Sequence, residues 1–216
     1  MTESDPNRPY MPAAEVDHLR RIYQQARVIL EYGSGGSTRL ASQMPGKLIF
    51  SVESDRGWAQ NLQSDFDRYP TASPVIMYPV DIGETGPWGR PVDASKWDRF
   101  YRYPLAIWDE PFFRHPDVVL IDGRFRTACF AACVMRITRP TTVLMDDYGV
   151  REKYQMVEKI VKPDFMVGRM AHFSLTPGMA RAEEMGFLIS QFFVATFVGN
   201  REKDYRVLTG PTKVAE

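Results

Sequence analysis

The chain has 216 residues, of which 44% are apolar and 25% charged, the composition of a globular domain and not of a disordered one. Lys plus Arg and Asp plus Glu each total 27, so no global basic field exists to hold nucleic acid or an anionic membrane. No apolar run reaches the roughly 18 residues of a membrane span, and two cysteines, Cys129 and Cys133, are too few for a disulfide framework.

Residues 1–12 are polar, carry Pro6, Pro9 and Pro12, and read as a flexible N-terminus. They lack the apolar core of a signal peptide, so a cytoplasmic protein is expected. Residues 13–26 put Val16, Leu19, Ile22 and Tyr23 on one helical face. Residues 27–32 form a first apolar run that stops at glycines, and a short helix follows from Ser37 to the Pro45-Gly46 break. Residues 47–53 are the second run. Ser54 or Asp55 then caps a helix with Trp58, Leu62 and Phe66 at spacings of four, ending at Pro70. Residues 75–80 are the third run.

Residues 82–116 are turn-rich and aromatic, with three of the four tryptophans, and have no clean period. They suit either an aromatic lid over a planar acceptor or the cover of a sheet edge or subunit interface, the latter leaving a homo-oligomer open. Residues 117–121 are the fourth run. The helix after them, about 125–138, holds Cys129 and Cys133 on one face as small buried residues. A fifth run spans 141–145, a helix 150–161 stops before Pro163, and 165–175 is a sixth, β-like run. Residues 187–197 are apolar nearly throughout, and a buried last strand is the preferred reading over a helix. Apolar runs alternating with helices predict an α/β chain: a doubly wound, mostly parallel, Rossmann-like sheet in a single domain spanning 1–216.

The first run enters Glu31-Tyr32-Gly33-Ser34-Gly35-Gly36-Ser37-Thr38. Glycines allow a sharp turn and close backbone approach to a ligand. A nicotinamide fingerprint wants a sixth-position glycine, where Thr38 stands, and a pyrophosphate disfavours Glu31 two residues before Gly33. An ammonium or sulfonium group tolerates that carboxylate. The segment resembles the first motif of class I S-adenosylmethionine-dependent methyltransferases, with Ser37 in place of that motif's third glycine. The resemblance implies cofactor contacts from Glu31, Tyr32, Gly33, Ser34, Gly35, Ser37 and Thr38. It implies ribose binding by Glu53 beside Ser54, adenine contacts from Asp81 and Ile82, and Asp122 near the methyl-transfer centre. The tetrapeptide that marks base or amide methylation in related families is absent, so a small-molecule acceptor is expected. Binding of the cofactor without transfer, or a nucleotide-cofactor enzyme on a similar sheet, are the rival readings.

The fourth and fifth runs end in Asp122-Gly123 and Asp146-Asp147-Tyr148. Adjacent parallel strands deliver their carboxyl ends to one crevice, so three carboxylates should meet there. Such a cluster needs solvent, protons or a cation. The pattern is similar to cation-dependent catechol-type O-methyltransferases, but Asp147 stands where they carry Asn and Phe125 where they carry a lysine. A group of small methyltransferase-like proteins with Asp-Gly and Asp-Asp-Tyr at these places is the nearer resemblance. Metal binding stays open, with rim carboxylates preferred. Asp122 and Asp147 are the catalytic candidates, and Tyr148 and His172 further possible bases.

Overall fold

The computed structural model describes residues 9–199 and the backbone of Arg206–Val207. Its centre is a seven-stranded sheet in the order β3-β2-β1-β6-β7-β9-β8. Strands β1 (Val28–Tyr32), β2 (Leu48–Glu53), β3 (Val75–Pro79), β6 (Val118–Ile121) and β7 (Thr141–Met145) run parallel. β8 (Phe165–Val167) and β9 (Met170–Leu175) form an antiparallel hairpin that closes the β7 side. Two further strands, β4 (Thr85–Gly86) and β5 (Arg90–Pro91), pair only with each other. The doubly wound, mostly parallel sheet expected from the alternating runs is the one observed. The central strands are apolar on both faces because both are covered. β6, for example, is buried along its whole length.

One face carries α1 (Ala13–Gln25) and α2 (Gly36–Ser42), whose Leu19, Tyr23 and Ala41 pack on Ile29, Ile49 and Leu120. Met11 joins this cluster, while residues 1–8 of the expected flexible N-terminus lie outside the described residues. α3 (Arg56–Arg68) starts at Asp55, whose carboxylate accepts the Trp58 N–H at 2.9 Å, and ends just before Pro70. The other face carries α5 (Arg126–Arg136), with Cys129 and Cys133 as buried free thiols in the core. Beside α5 lies the aromatic stretch, including α4 (Arg102–Leu105). Phe100, Tyr103 and Ile107 are fully buried in the same core, and the Tyr32 hydroxyl donates to the Pro104 carbonyl at 2.6 Å. This stretch is therefore the crossover layer between β3 and β6. Its Trp88, Trp97 and Tyr101 remain exposed.

Three elements differ from the sequence reading. The helix expected over 150–161 is a run of 3₁₀ turns, Glu152–Lys159, whose buried anchors Tyr154 and Val157 stand three apart, the spacing that eclipses in a 3₁₀ helix. The sixth apolar run is two strands, because Gly168 turns the chain with φ +54°. Glu15 of α1 accepts the Arg169 N–H at 2.9 Å and holds that turn. Residues 187–197 are not a buried last strand. They form α6 (Met185–Ser190), a 3₁₀ turn Gln191–Phe193, and only the two-residue β10 (Val194–Ala195), which pairs with β11 (Arg206–Val207) away from the main sheet. α5 is buried over all of residues 126–134, so it needs an outer cover, and the apolar segment supplies it instead of extending the sheet.

Candidate functional site

The loops after β1, β2, β6 and β7 gather at the carboxyl ends of the strands. The loops after β1 and β6 touch backbone to backbone. Gly123 N–H donates to the Tyr32 carbonyl at 2.6 Å, and a Cβ on Gly33 would lie 2.7 Å from the Gly123 Cα. Gly33 also has φ +98°, so it is required by its neighbour and its turn. Gly35 is different: a Cβ there would meet nothing within 4 Å and would project into open space in front of the loop.

Glu31 is fully buried, and its two oxygens accept from the Tyr23 hydroxyl at 2.6 Å and the Thr38 hydroxyl at 2.5 Å. Burial raises its pKa to about 7, against the pull of the hydrogen bonds from Thr38, Tyr23 and Ser37. Thr38 Oγ1 in turn accepts the Gly35 N–H at 3.0 Å. Glu31, Ser37 and Thr38 thus brace the glycine loop from behind, and the Tyr32 side chain is buried in the core. None of these four faces the open side.

Glu53 ends β2 beside the loop. Its Oε1 accepts the Ser54 and Asp55 N–H groups at 2.7 and 2.9 Å, and its Oε2 accepts the Ser34 N–H at 3.1 Å. The tip between β4 and β5 folds over this corner, where the Ser54 hydroxyl donates to the Gly89 carbonyl at 3.0 Å. Asp81 and Ile82 do not join the corner in the same way. Asp81 accepts the Gly83 N–H at 2.9 Å and pairs with Arg99, with its side chain 62% exposed. Ile82 is buried in the core.

The three aspartates do converge, and arginines separate them. Arg126 is 6% exposed and donates to the Asp122 carboxylate at 3.0 Å, to the Asp122 carbonyl at 2.7 Å and to the Asp146 carbonyl at 2.5 Å. It also pairs with Asp147 at 3.3 Å. Arg169 grips Asp146 through Nε at 3.1 Å and Nη2 at 2.8 Å, and Arg151 pairs with Asp147 at 3.1 Å. Burial opposes the charge of Arg126, yet Tyr154 and the three aspartates raise its pKa above the ordinary arginine value. Asp122 is the member left at the rim, its side chain 32% exposed. Desolvation, with Asp146 and Asp147 adding to it, raises Asp122 to about 7 despite Arg126.

The sequence offers Arg126, with Arg99, Arg102, Arg114 and Arg124, as a receiver of an acidic substrate or a solvated face, and nothing in it points to Arg151 or Arg169. Only Arg126, four residues after Asp122 at a helix start, carried a local signal. Among the described residues no group of three His, Cys, Asp or Glu is arranged to hold a metal ion. The arginines supply the countercharge, so millimolar magnesium or manganese is expected to leave the melting temperature unchanged. A rise that Asp147→Ala removes would show instead that a cation enters the cluster. His172 lies outside the cluster, with its Nδ1 3.1 Å from His18 Nε2 and its ring stacked on Phe165.

Neither a protein-family model nor a curated protein sequence matches the chain. Among solved structures, a methyltransferase-like protein from Silicibacter pomeroyi is 46% identical, over 86% of this chain and 98% of that one, with a TM-score of 0.81. An O-methyltransferase from Streptomyces achromogenes involved in tomaymycin synthesis, solved with S-adenosylmethionine, shares the fold at 18% identity. It covers 77% and 80% of the two chains with a TM-score of 0.50. An S-adenosylmethionine-dependent O-methyltransferase from Thermotoga maritima does so at 13% identity, 82% and 69% coverage and a TM-score of 0.52.

Proposed function

The chain belongs to the class I S-adenosylmethionine-dependent methyltransferase family, and from that premise we propose that it binds S-adenosylmethionine and catalyses methyl transfer to a small-molecule acceptor. The observation that carries the reading is the corner where Gly35 opens on empty space beside Glu53. The residues there fit the cofactor. Glu53 Oε2 accepts one backbone N–H and keeps acceptor capacity for a ribose hydroxyl. Ser34, Gly35, Glu53 and Ser54 are the contacts we assign, with Asp122 at the reacting end. Glu31, Tyr32, Gly33, Ser37 and Thr38 hold the loop in shape.

When bound, the cofactor supplies a methyl group on a sulfonium, already activated for transfer. The chain's own task is alignment and proton removal. Asp122 is the base we assign, since a carboxyl with a pKa near 7 is matched to taking a proton from an acceptor hydroxyl or amine at neutral pH. We do not assign Asp147 that role, since it pairs with Arg126, Arg151 and Arg169 together.

Gly35→Val fills the open side of the loop. It is expected to abolish S-adenosylhomocysteine binding in a calorimetric titration with the melting temperature kept, and unchanged affinity would overturn the assignment. Gly33→Ala has the opposite signature, because its Cβ meets the Gly123 backbone. It should lower stability by roughly 1–3 kcal/mol in urea denaturation.

A further inference from the structure

The hairpin of β4 and β5, with the turn Pro87–Gly89 at its tip, pairs with no strand of the main sheet. Its tip rests instead on the carboxyl ends of two strands. The Gly89 carbonyl accepts the Ser54 hydroxyl, beside Glu53, at 3.0 Å. The Trp88 carbonyl accepts from Arg124, two residues after Asp122, at 3.4 Å. β1, which carries the glycine loop, lies between β2 and β6 in the sheet, so the tip spans that loop. The chain before α1 reaches in from the other side. The Tyr10 carbonyl accepts Arg169 Nη2 at 3.3 Å, and the same nitrogen holds Asp146 at the end of β7. The two segments meet through their rings, with the Tyr10 and Trp88 centroids 6.1 Å apart and the planes at 42°. Tied at the ends of β2, β6 and β7, the ring pair bridges the crevice that holds Gly35 and Asp122.

Neither ring is placed where local preferences would put it. Tyr10 is 87% exposed and Trp88 75%. Trp88 also takes φ +65°, in the left-handed region that a bulky side chain disfavours. An outlier of this kind persists where the surrounding structure imposes it, and such outliers cluster at ligand clamps and switch segments. The hold on the pair is slight. Of the three hydrogen bonds that tie it down, the two made by arginines are 3.3 and 3.4 Å long, beyond the usual N–H···O range. Segments with few buried contacts and solvent-exposed hydrogen bonds open at the lowest free energy. The two sides differ in this respect. Met11, next to Tyr10, is buried in the core, whereas the hairpin tip has only its carbonyl ties and a two-residue ladder below it. The base of the hairpin is fixed where the Val198 N–H donates to the Pro91 carbonyl at 3.0 Å.

We infer that Trp88 and Tyr10 form a gate over the crevice, in which the hairpin tip swings and Tyr10 is the stop it closes on. The inference rests on the reading of this crevice as the cofactor site. Parting the rings admits the ligands, and bringing them together shuts bulk water away from the Asp122 rim, where a drier surrounding strengthens every electrostatic contact. The tip also links the two halves of the site, because it leans on Ser54 at the Glu53 corner and on Arg124 in the loop of Asp122. Ligand exchange is therefore paced by the gate.

A thiol reporter tests the gate without any ligand. Gly35→Cys places one beneath the ring pair, and the native Cys129 and Cys133 are buried and do not compete. Its rate of labelling by fluorescein maleimide is expected to rise by about tenfold or more when Trp88→Gly or Tyr10→Ala is added. Trp97→Ala removes an exposed tryptophan of the same stretch that lies outside the pair, and should leave the rate unchanged. Glycine suits φ +65°, so Trp88→Gly should melt at or above its parent, which separates opening of the gate from unfolding. Equal labelling rates in the parent and both gate variants would overturn the inference, as would the same rise in Trp97→Ala. Stopped-flow binding of S-adenosylhomocysteine to chains that keep Gly35 reads the cofactor assignment separately. Association and dissociation should both be about tenfold or more faster in Trp88→Gly, with Kd changed by less than about threefold. Accelerated labelling beside a wild type that does not bind S-adenosylhomocysteine would remove the cofactor assignment and leave the gate standing. Unchanged rates for a ligand that does bind would overturn the gate.

Discussion

Asp122→Asn is expected to lower kcat by about 10²–10⁴-fold, the usual contribution of a positioned general base. The assay is release of S-adenosylhomocysteine from S-adenosylmethionine across a panel of small hydroxyl and amine acceptors. In the wild type the rate should rise with pH to a plateau above about 7, because Asp122 must lose its proton to act and its pKa is held there. The variant should lose that rising limb. Asp122 predicts the opposite trend for stability. Its folded pKa lies above the unfolded value, so the folded state binds the proton more tightly. The stability this contributes is present at low pH and is lost as pH rises through about 7. Asp122→Asn cannot ionise and should therefore melt higher than wild type at pH 8 and like wild type at pH 4. A variant with near-wild-type turnover would remove Asp122 from the chemistry, and an absent pH dependence of the melting difference would remove the raised pKa.

Arg126→Met is expected to be the most damaging single change to stability. It leaves the buried Asp147 short of one partner and deprives the Asp122 and Asp146 carbonyls of their donor. Breaking a buried pair by removing one member costs about 3–5 kcal/mol. For a chain of this size that is roughly 6–20 °C in Tm. Urea denaturation at pH 7 measures it directly, and a loss below about 1 kcal/mol would show that solvent already screens the cluster. The difference should shrink in acid, where the aspartates are protonated and Arg126 has fewer charges to balance. Arg126 thereby does for the acidic crevice what a bound cation would otherwise have to do, holding Asp122 at the rim with its backbone and carboxylate both restrained.

Much of this site can be read from local sequence. Glu31, the glycines and Glu53 sit at run ends, and a parallel sheet brings run ends together whatever the details of packing. The convergence of Asp122, Asp146 and Asp147 follows from the same rule, since β6 and β7 are neighbours. Less legible is what each group does on arrival. Glu31 looks like a ligand for a cation, yet Tyr23 and Thr38 take both its oxygens. Asp81 ends its run as either an adenine contact or a turn former, and in the fold it accepts the Gly83 N–H and pairs with Arg99.

Periodicity, the turn residues and the order of apolar runs thus determined the sheet, its parallel core and the edge on which a ligand must bind, because these depend on neighbours a few residues apart. Tertiary structure decided the rest, because it depends on partners distant in sequence. Gly33 is required by Gly123 and the aspartates are balanced by Arg126, Arg151 and Arg169. The aromatic stretch becomes a core layer because Tyr103 and Ile107 find α5. The apolar run before β10 becomes a helix because α5 needs a cover. No local pattern encodes those pairings: a side chain's burial and charge state are set by whatever the fold places against it.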